Sequence, residues 1–197
     1  CMTHTFVTPM TDRFTPIAER EKFVNAGIVD TTSEGIIVTG ARMVGTLAPF
    51  ADANISFGAP VPLTGAGDEM YALAFQCPVN HPDLKWICRD KLDDEASHFD
   101  RPLAGRFEEM DAIAIWEDAF IPWEDVIVAG DVEAHNMGLP GMKFFQALGH
   151  HVIVKNVAKT RFLFGLAHLM AESSQISQFV NVQDRLGDIL MWLNTME

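Results

Sequence analysis

Ten residues near the start, His4 to Arg13 (HTFVTPMTDR), bring together a histidine, three threonines, a proline and an Asp-Arg pair. An imidazole titrates near neutrality, hydroxyls bond polar ligands or backbone, and a guanidinium suits anions. Phe6 and Val7 set the stretch apart from a disordered leader, which carries few aromatic or β-branched residues. Taken alone, it reads as an edge strand followed by a turn. The other histidines of interest are adjacent, His150 and His151. On a helix they project about 100° apart, unlike the i, i+4 pairs that share one ion, which argues against zinc. The residues alone predict one packed and one exposed, and either serves as a proton acceptor if that helix covers a pocket.

Other constellations carry less. There is no GxSxG elbow, and TGAGDE lacks the Lys-Ser/Thr ending of a phosphate loop, so hydrolase and nucleotidase readings have no motif. The paired carboxylates of RFEEMD, residues 106 to 111, read as a salt-bridged strand entrance. Trp116 and Trp123 bracket EDAFIP and read as core packing at a β-turn.

These residues need elements to position them. From Gly35 to about Gly130 the runs GIIVTGARMVGTL, ANISF, MYALAFQC, LKWICRD, DAIAIW and WEDVIV are short and β-rich, separated by turn material. In MYALAFQC, Tyr71, Leu73, Phe75 and Cys77 alternate with Ala72 and Ala74, which predicts one bulky and one nearly flat face. From about Leu139 the period becomes helical: Phe144, Leu148 and Val152, then Ala158, Phe162, Leu166 and Met170 recur near four-residue spacing. Pro140 fits a first turn, AESSQISQ makes a break, and a second amphipathic helix follows from about Phe179. The expected architecture is an antiparallel β-domain over residues 1 to 136, then two long helices over 137 to 197, the pattern of segregated α+β or of an all-β domain inserted in a helical protein.

Composition narrows the function. The 197 residues carry 27 acidic and 14 basic side chains, a formal charge of −13, and the bases are scattered, which disfavours nucleic acid. The acidic cluster Asp93, Asp94 and Glu95 reads as a solvated loop. No apolar run approaches the roughly 18 to 20 residues of a membrane span. Three cysteines without CxxC spacing, beside ten methionines, suit a reducing cytoplasmic interior. A start at Cys1 and a stop at Glu197 inside a helical pattern read as the ends of a piece of a longer protein.

Five separated segments in order carry a resemblance: HTFVTPMTDR, GIIVTGARMVGT, the stretch from Phe99 through RFEEMD, AIAIWEDAFIPWEDVIVAGD, and HHVIVKNVAKT. Over essentially the whole chain they resemble the oxygenase component of 4-hydroxyphenylacetate 3-monooxygenase and its phenol and chlorophenol relatives. The resemblance implies the middle β-domain and the start of the C-terminal helical domain of an acyl-CoA-dehydrogenase-like fold. It further implies a two-component monooxygenase: a separate NAD(P)H:flavin reductase supplies reduced FAD, in preference to FMN, and oxygen adds to form a flavin C4a-hydroperoxide. The distal oxygen then passes to the carbon ortho to a phenol hydroxyl, in a homotetramer built on the helical domain.

Carried over by position, the resemblance places His4, Thr5 and Phe6 beside flavin and phenol, with His4 bonding the substrate hydroxyl. Met10, Thr11, Asp12 and Arg13 match a flavin-contacting turn, and Thr46 matches a threonine that bonds the flavin ring system. Phe57, Ala59 and Pro60 match the substrate-binding segment, and VPLTGAGDEM matches the substrate lid. His150 or His151 would be a further proton-handling residue. Where the 4-hydroxyphenylacetate enzymes place a small hydroxyl residue, Ala59 and Pro60 offer no side-chain donor, which leans toward a less polar phenol. Rival readings are an acyl-CoA dehydrogenase, a 4-hydroxybutyryl-CoA dehydratase and a non-catalytic flavin-binding scaffold. The dehydratase needs an iron-sulfur cluster held partly by cysteine on the first long helix, and no cysteine follows Cys88.

Overall fold

The computed structural model describes residues 1–12, 14–58, 62–64, 66–92 and 97–197. Arg13, Ala59 and Pro60 therefore lie outside the described residues, as do Asp93, Asp94 and Glu95. The chain divides into two compact units, Cys1–Gly138 and Leu139–Glu197.

The first unit holds eight described strands: β1 (Met2–Thr5), β2 (Gly27–Thr31), β3 (Gly35–Thr46), β4 (Ala53–Ser56), β5 (Leu73–Pro78), β6 (Leu84–Cys88), β7 (Asp111–Pro122) and β8 (Val126–Ala129). They form two four-stranded sheets, ordered β1-β4-β5-β8 and β2-β3-β7-β6. The antiparallel expectation holds except at β1, which pairs with β4 in parallel, His4 opposite Ile55. A parallel pairing needs a crossover rather than a hairpin, and β2 and β3 of the other sheet supply it. The opening stretch also reaches that sheet, because Met43 N donates to Val7 O at 2.7 Å.

Both sheets contribute to one core. Ile36 and Val38 of β3, Leu73, Phe75 and Cys77 of β5, Leu84 of β6 and Ala114, Trp116, Ala119 and Ile121 of β7 form a buried cluster. Phe75 meets Trp116 edge to face at 5.4 Å between ring centroids. Alternation explains the set: along β7 the burial pattern runs inward at every second residue until the bulge near Asp118. Gly40, at φ +112°, is required where β3 bends, because a Cβ there would stand 2.5 Å from Asn25 O. Three expectations change. Tyr71 sits in a 3₁₀ turn (Glu69–Tyr71) and not in β5, and packs with Ala72 and Leu63 in a second cluster, so neither face of MYALAFQC is left bare. Trp123 is 42% exposed, held at the surface by its indole N–H on Thr32 O at 3.2 Å. Only Trp116 is core.

The helices are α1 (Ala104–Phe107), α2 (Val132–Gly141), α3 (Phe144–Ser173) and α4 (Val180–Met196). Asp131 caps α2 through Ala134 N at 2.9 Å, so that helix begins seven residues before the expected helical start. Pro140 accordingly closes α2 instead of opening a long helix, and Lys143, at φ +54°, separates α2 from α3. In the second unit α3 and α4 pack together, with Ala171 and Leu193 buried and Arg161 paired to Glu197 at 2.6 Å. No helix among the described residues is long and apolar enough to cross a membrane.

Candidate functional site

On β1, side chains alternate between two faces. Thr3 and Thr5 point inward: Thr3 Oγ1 donates to Thr46 O at 2.6 Å, and Asn54 Nδ2 donates to Thr5 Oγ1 at 3.3 Å. His4 and Phe6 fall on the other face and are half-buried. There they meet Phe57, brought alongside by the β1–β4 pairing and by Phe57 N donating to Thr5 O at 3.1 Å. Phe6 and Phe57 stack at 5.5 Å with planes 5° apart, and His4 stands edge-on to both, at 5.2 and 6.0 Å. A half-buried imidazole beside a stacked aromatic pair is suited to a planar ring bearing one hydroxyl. The sequence therefore anticipated a grouping that the fold assembles: His4, Phe6 and Phe57 come together, with Thr5 locked behind them.

The turn that follows is exposed at Met10, Thr11 and Asp12. Asp12 accepts from Phe14 N at 2.8 Å, from Thr15 N at 3.3 Å and from the Thr15 hydroxyl. Those bonds, the Thr15 hydroxyl foremost, hold its carboxyl below the usual carboxylate range. Asp12 thus shapes the turn and leaves backbone groups and Thr11 to meet a ligand.

Thr46 ends β3 two residues after Val44, whose φ of +65° is unusual for a β-branched residue and coincides with a bulge between Arg42 and Gly45. Thr46 Oγ1 donates to Asp111 Oδ1 at 2.7 Å, so its lone pairs remain available while its proton is committed. Behind Asp111, Arg89 pairs with Glu108 and donates to Glu109 O at 2.7 Å. Leu92 N and Arg89 together hold the Glu108 carboxyl low. RFEEMD is thus a salt-bridged strand entrance, but its cation is Arg89 and not Arg106.

His150 and His151 lie on α3 in the helical unit, and both are exposed there. The expected split into one packed and one exposed histidine fails, because α3 buries only Ala171 among its residues. Among the described residues, no group of three or more His, Cys, Asp or Glu side chains could hold a metal ion.

Two residues escaped the reading of the sequence. Arg42, inward-facing on β3, is 1% exposed, and burial pushes its guanidinium down to about 10. Its signal was a lone charge at an inward position of an otherwise small and apolar strand. His135 of α2 presses on Gly58, the residue after Phe57; a Cβ at Gly58 would stand 1.6 Å from His135 Cε1. Burial, then the nearby Arg42 charge, lowers His135 below the usual histidine value.

The family profile for the N-terminal region of 4-hydroxyphenylacetate 3-hydroxylase matches residues 1–128, and that for its C-terminal region matches residues 137–197. The chain belongs to this family. It is 37% identical over 98% of its length to the 4-hydroxyphenylacetate 3-monooxygenase oxygenase component of Thermus thermophilus, covering 40% of that protein. It is 32% identical over 97% of its length to the 4-nitrophenol 2-monooxygenase oxygenase component of a Rhodococcus species, covering 36% of it. A solved 4-hydroxyphenylacetate 3-monooxygenase oxygenase component, complexed with FAD and 4-hydroxyphenylacetate, superposes with a TM-score of 0.90 at 35% identity, over 99% of this chain and 40% of that one. As a 4-hydroxyphenylacetate 3-hydroxylase family chain it spans about two fifths of the length of these relatives.

Proposed function

We propose that the protein containing this chain is the oxygenase component of a two-component monooxygenase that hydroxylates a phenol ortho to its hydroxyl group. The observation that carries the reading is the half-buried cluster of His4, Phe6 and Phe57 at a strand edge, in a chain of the 4-hydroxyphenylacetate 3-hydroxylase family. The cluster fits a flavin and a phenol: stacked rings offer a flat apolar wall, and Thr46 offers hydroxyl lone pairs. Reduced FAD, delivered by a separate reductase, supplies the activated oxygen when bound.

The chain's own residues position and deprotonate. His4 accepts or shares the proton of the phenol, whose unperturbed pKa is about 10, and so makes the ring more electron-rich. Phe6 and Phe57 hold the ring and exclude water. Thr5, Thr46 and the turn of Met10, Thr11, Asp12 and Arg13 hold the cofactor. Ala59 and Pro60, without side-chain donors, favour a phenol less polar than 4-hydroxyphenylacetate. His150 or His151 contributes proton handling from the helical domain. We place the protein in the cytoplasm as a homotetramer whose helices associate through apolar residues such as Phe162 and Leu166, both exposed in this unit.

The test supplies the full-length protein with reduced FAD, oxygen and a panel of phenols. The expected product is the corresponding catechol, with uncharged phenols turned over in preference to carboxylated ones. Flavin binding without any catechol would leave the scaffold reading in its place.

A further inference from the structure

Thr46 sits in an unusual piece of backbone. Val44 and Leu47, at φ +65° and +59°, are both left-handed, and Thr46 stands between them. Each such residue other than glycine costs about 1 kcal/mol or more and persists only where its surroundings fix it. Three bonds do so here: Thr3 Oγ1 donates to Thr46 O at 2.6 Å, Leu47 N donates to Met110 O at 2.8 Å, and Thr46 Oγ1 donates to Asp111 Oδ1 at 2.7 Å. Thr46 and Asp111 are directly opposed across β3 and β7, so the two side chains share one face of the sheet. The carboxylate is itself anchored, with Arg89 Nε 4.0 Å from its second oxygen. Chemistry sets the direction of the Thr46–Asp111 bond, because a carboxylate only accepts. Thr46 therefore commits its one hydroxyl proton to Asp111 and meets any ligand with lone pairs alone.

We propose that Asp111 is a positioning residue: by holding the Thr46 hydroxyl as an acceptor only, it weights the flavin site toward the reduced cofactor. The inference rests on the function proposed above, in which Thr46 meets the flavin ring. In an isoalloxazine the two carbonyl oxygens accept and N3–H donates in both redox states, whereas N5 is a bare acceptor when oxidised and carries a proton when reduced. An acceptor-only hydroxyl pairs with N5–H but turns its lone pairs toward the lone pair of oxidised N5, so the contact is favourable in one redox state and unfavourable in the other. A threonine free to rotate would accept from the first form and donate to the second, and would discriminate little between them. Asp111 removes that freedom. It thus favours entry of reduced FAD and release of the oxidised form, as suits a component whose cofactor arrives already reduced.

The test reads affinity and not turnover. Full-length protein is titrated with oxidised FAD in air and with reduced FAD under nitrogen, and the ratio of the two affinities is compared between variants. The parent should bind the reduced form more tightly. Asp111→Ala frees the hydroxyl proton and should shrink that ratio about tenfold, chiefly by tightening oxidised FAD. Loss of the negative charge alone acts in the opposite sense, since it favours an anionic reduced flavin, so the sign separates the hydrogen-bond role from a purely electrostatic one. In a Thr46→Val background the same Asp111→Ala change should no longer shrink the ratio. Thr46→Val by itself keeps the test decisive if Asp111→Ala does not fold: it should weaken reduced FAD about tenfold and leave oxidised FAD no weaker. A ratio unchanged or enlarged in Asp111→Ala, the same shrinkage without the Thr46 hydroxyl, or equal weakening of both forms by Thr46→Val would overturn this inference alone. A parent protein that binds neither form would overturn it together with the function on which it rests.

Discussion

In the β-unit, Ile36, Phe75, Trp116 and Ile121 are at most 1% exposed, whereas in the helical unit Phe162, Leu166, Leu169 and Trp192 stand 43 to 62% exposed. The first unit closes a core between its own two sheets; the second presents apolar side chains around most of its circumference. Where a residue stands therefore means different things in each. His4 takes its place from packing and hydrogen bonds internal to the β-unit, through Thr3, Thr5 and Asn54. His150 and His151 take theirs from a helix whose outer surface its own unit leaves uncovered.

The sharpest way to break this contrast is to delete one large side chain from each unit. Trp116→Ala should destabilise the protein by about 3–5 kcal/mol in urea unfolding, and Leu166→Ala in the isolated chain by no more than about 1 kcal/mol. Equal losses would mean that the helical unit has a closed core of its own.

Next in size is the contact beneath Phe57. Gly58→Ala forces a methyl into the His135 ring and should cost about 1–3 kcal/mol. Adding His135→Ala should recover most of that loss. Additive losses in the double variant would remove His135 from the support of the Phe57 segment.

A smaller effect is expected on acidification. His135 has its pKa lowered in the fold, first by burial and then by Arg42, with Tyr71 and Asp68 lining one cavity with both. Its contribution to stability is therefore fully present above the unfolded value of about 6.5 and is lost as pH falls toward the lower folded value. His135→Asn should flatten the melting temperature between pH 7 and pH 5; an unchanged slope would show that other groups govern it. Least in energy is thiol chemistry. Cys77, pushed up to about 11 mainly by burial, should resist alkylation at pH 8 until the chain unfolds, while exposed Cys1 and Cys88 react in the folded protein. Labelling of all three at one rate would contradict the closed β-core.

Much of the β-unit was legible because alternation reports which face is buried. β3, β4, β6 and the opening edge strand fall where short β-rich runs end in turn residues. β2 was not, because GIVDT is five residues long and its alternation decays into Asp30 and Thr31. α2 was hidden by Gly138, Pro140 and Gly141, which resemble a stop signal although Asp131 caps a helix before them. The aromatic part of the site was legible through resemblance, since His4 and Phe57 are far apart in sequence and no local pattern joins them. Arg42 and His135 were not, because a buried cation and a histidine packed on a glycine are products of tertiary contact. On α3 the four-residue spacing gave the helix correctly but not its buried side, because apolar residues occupy several faces.

The central claim is that the face of β1 carries the phenol chemistry. Its most direct test is His4→Ala in the full-length protein, assayed with reduced FAD, oxygen and a saturating phenol, with flavin binding measured in parallel. Catechol formation should fall by about 10² or more while flavin binding persists. Turnover unchanged from the parent protein would contradict it.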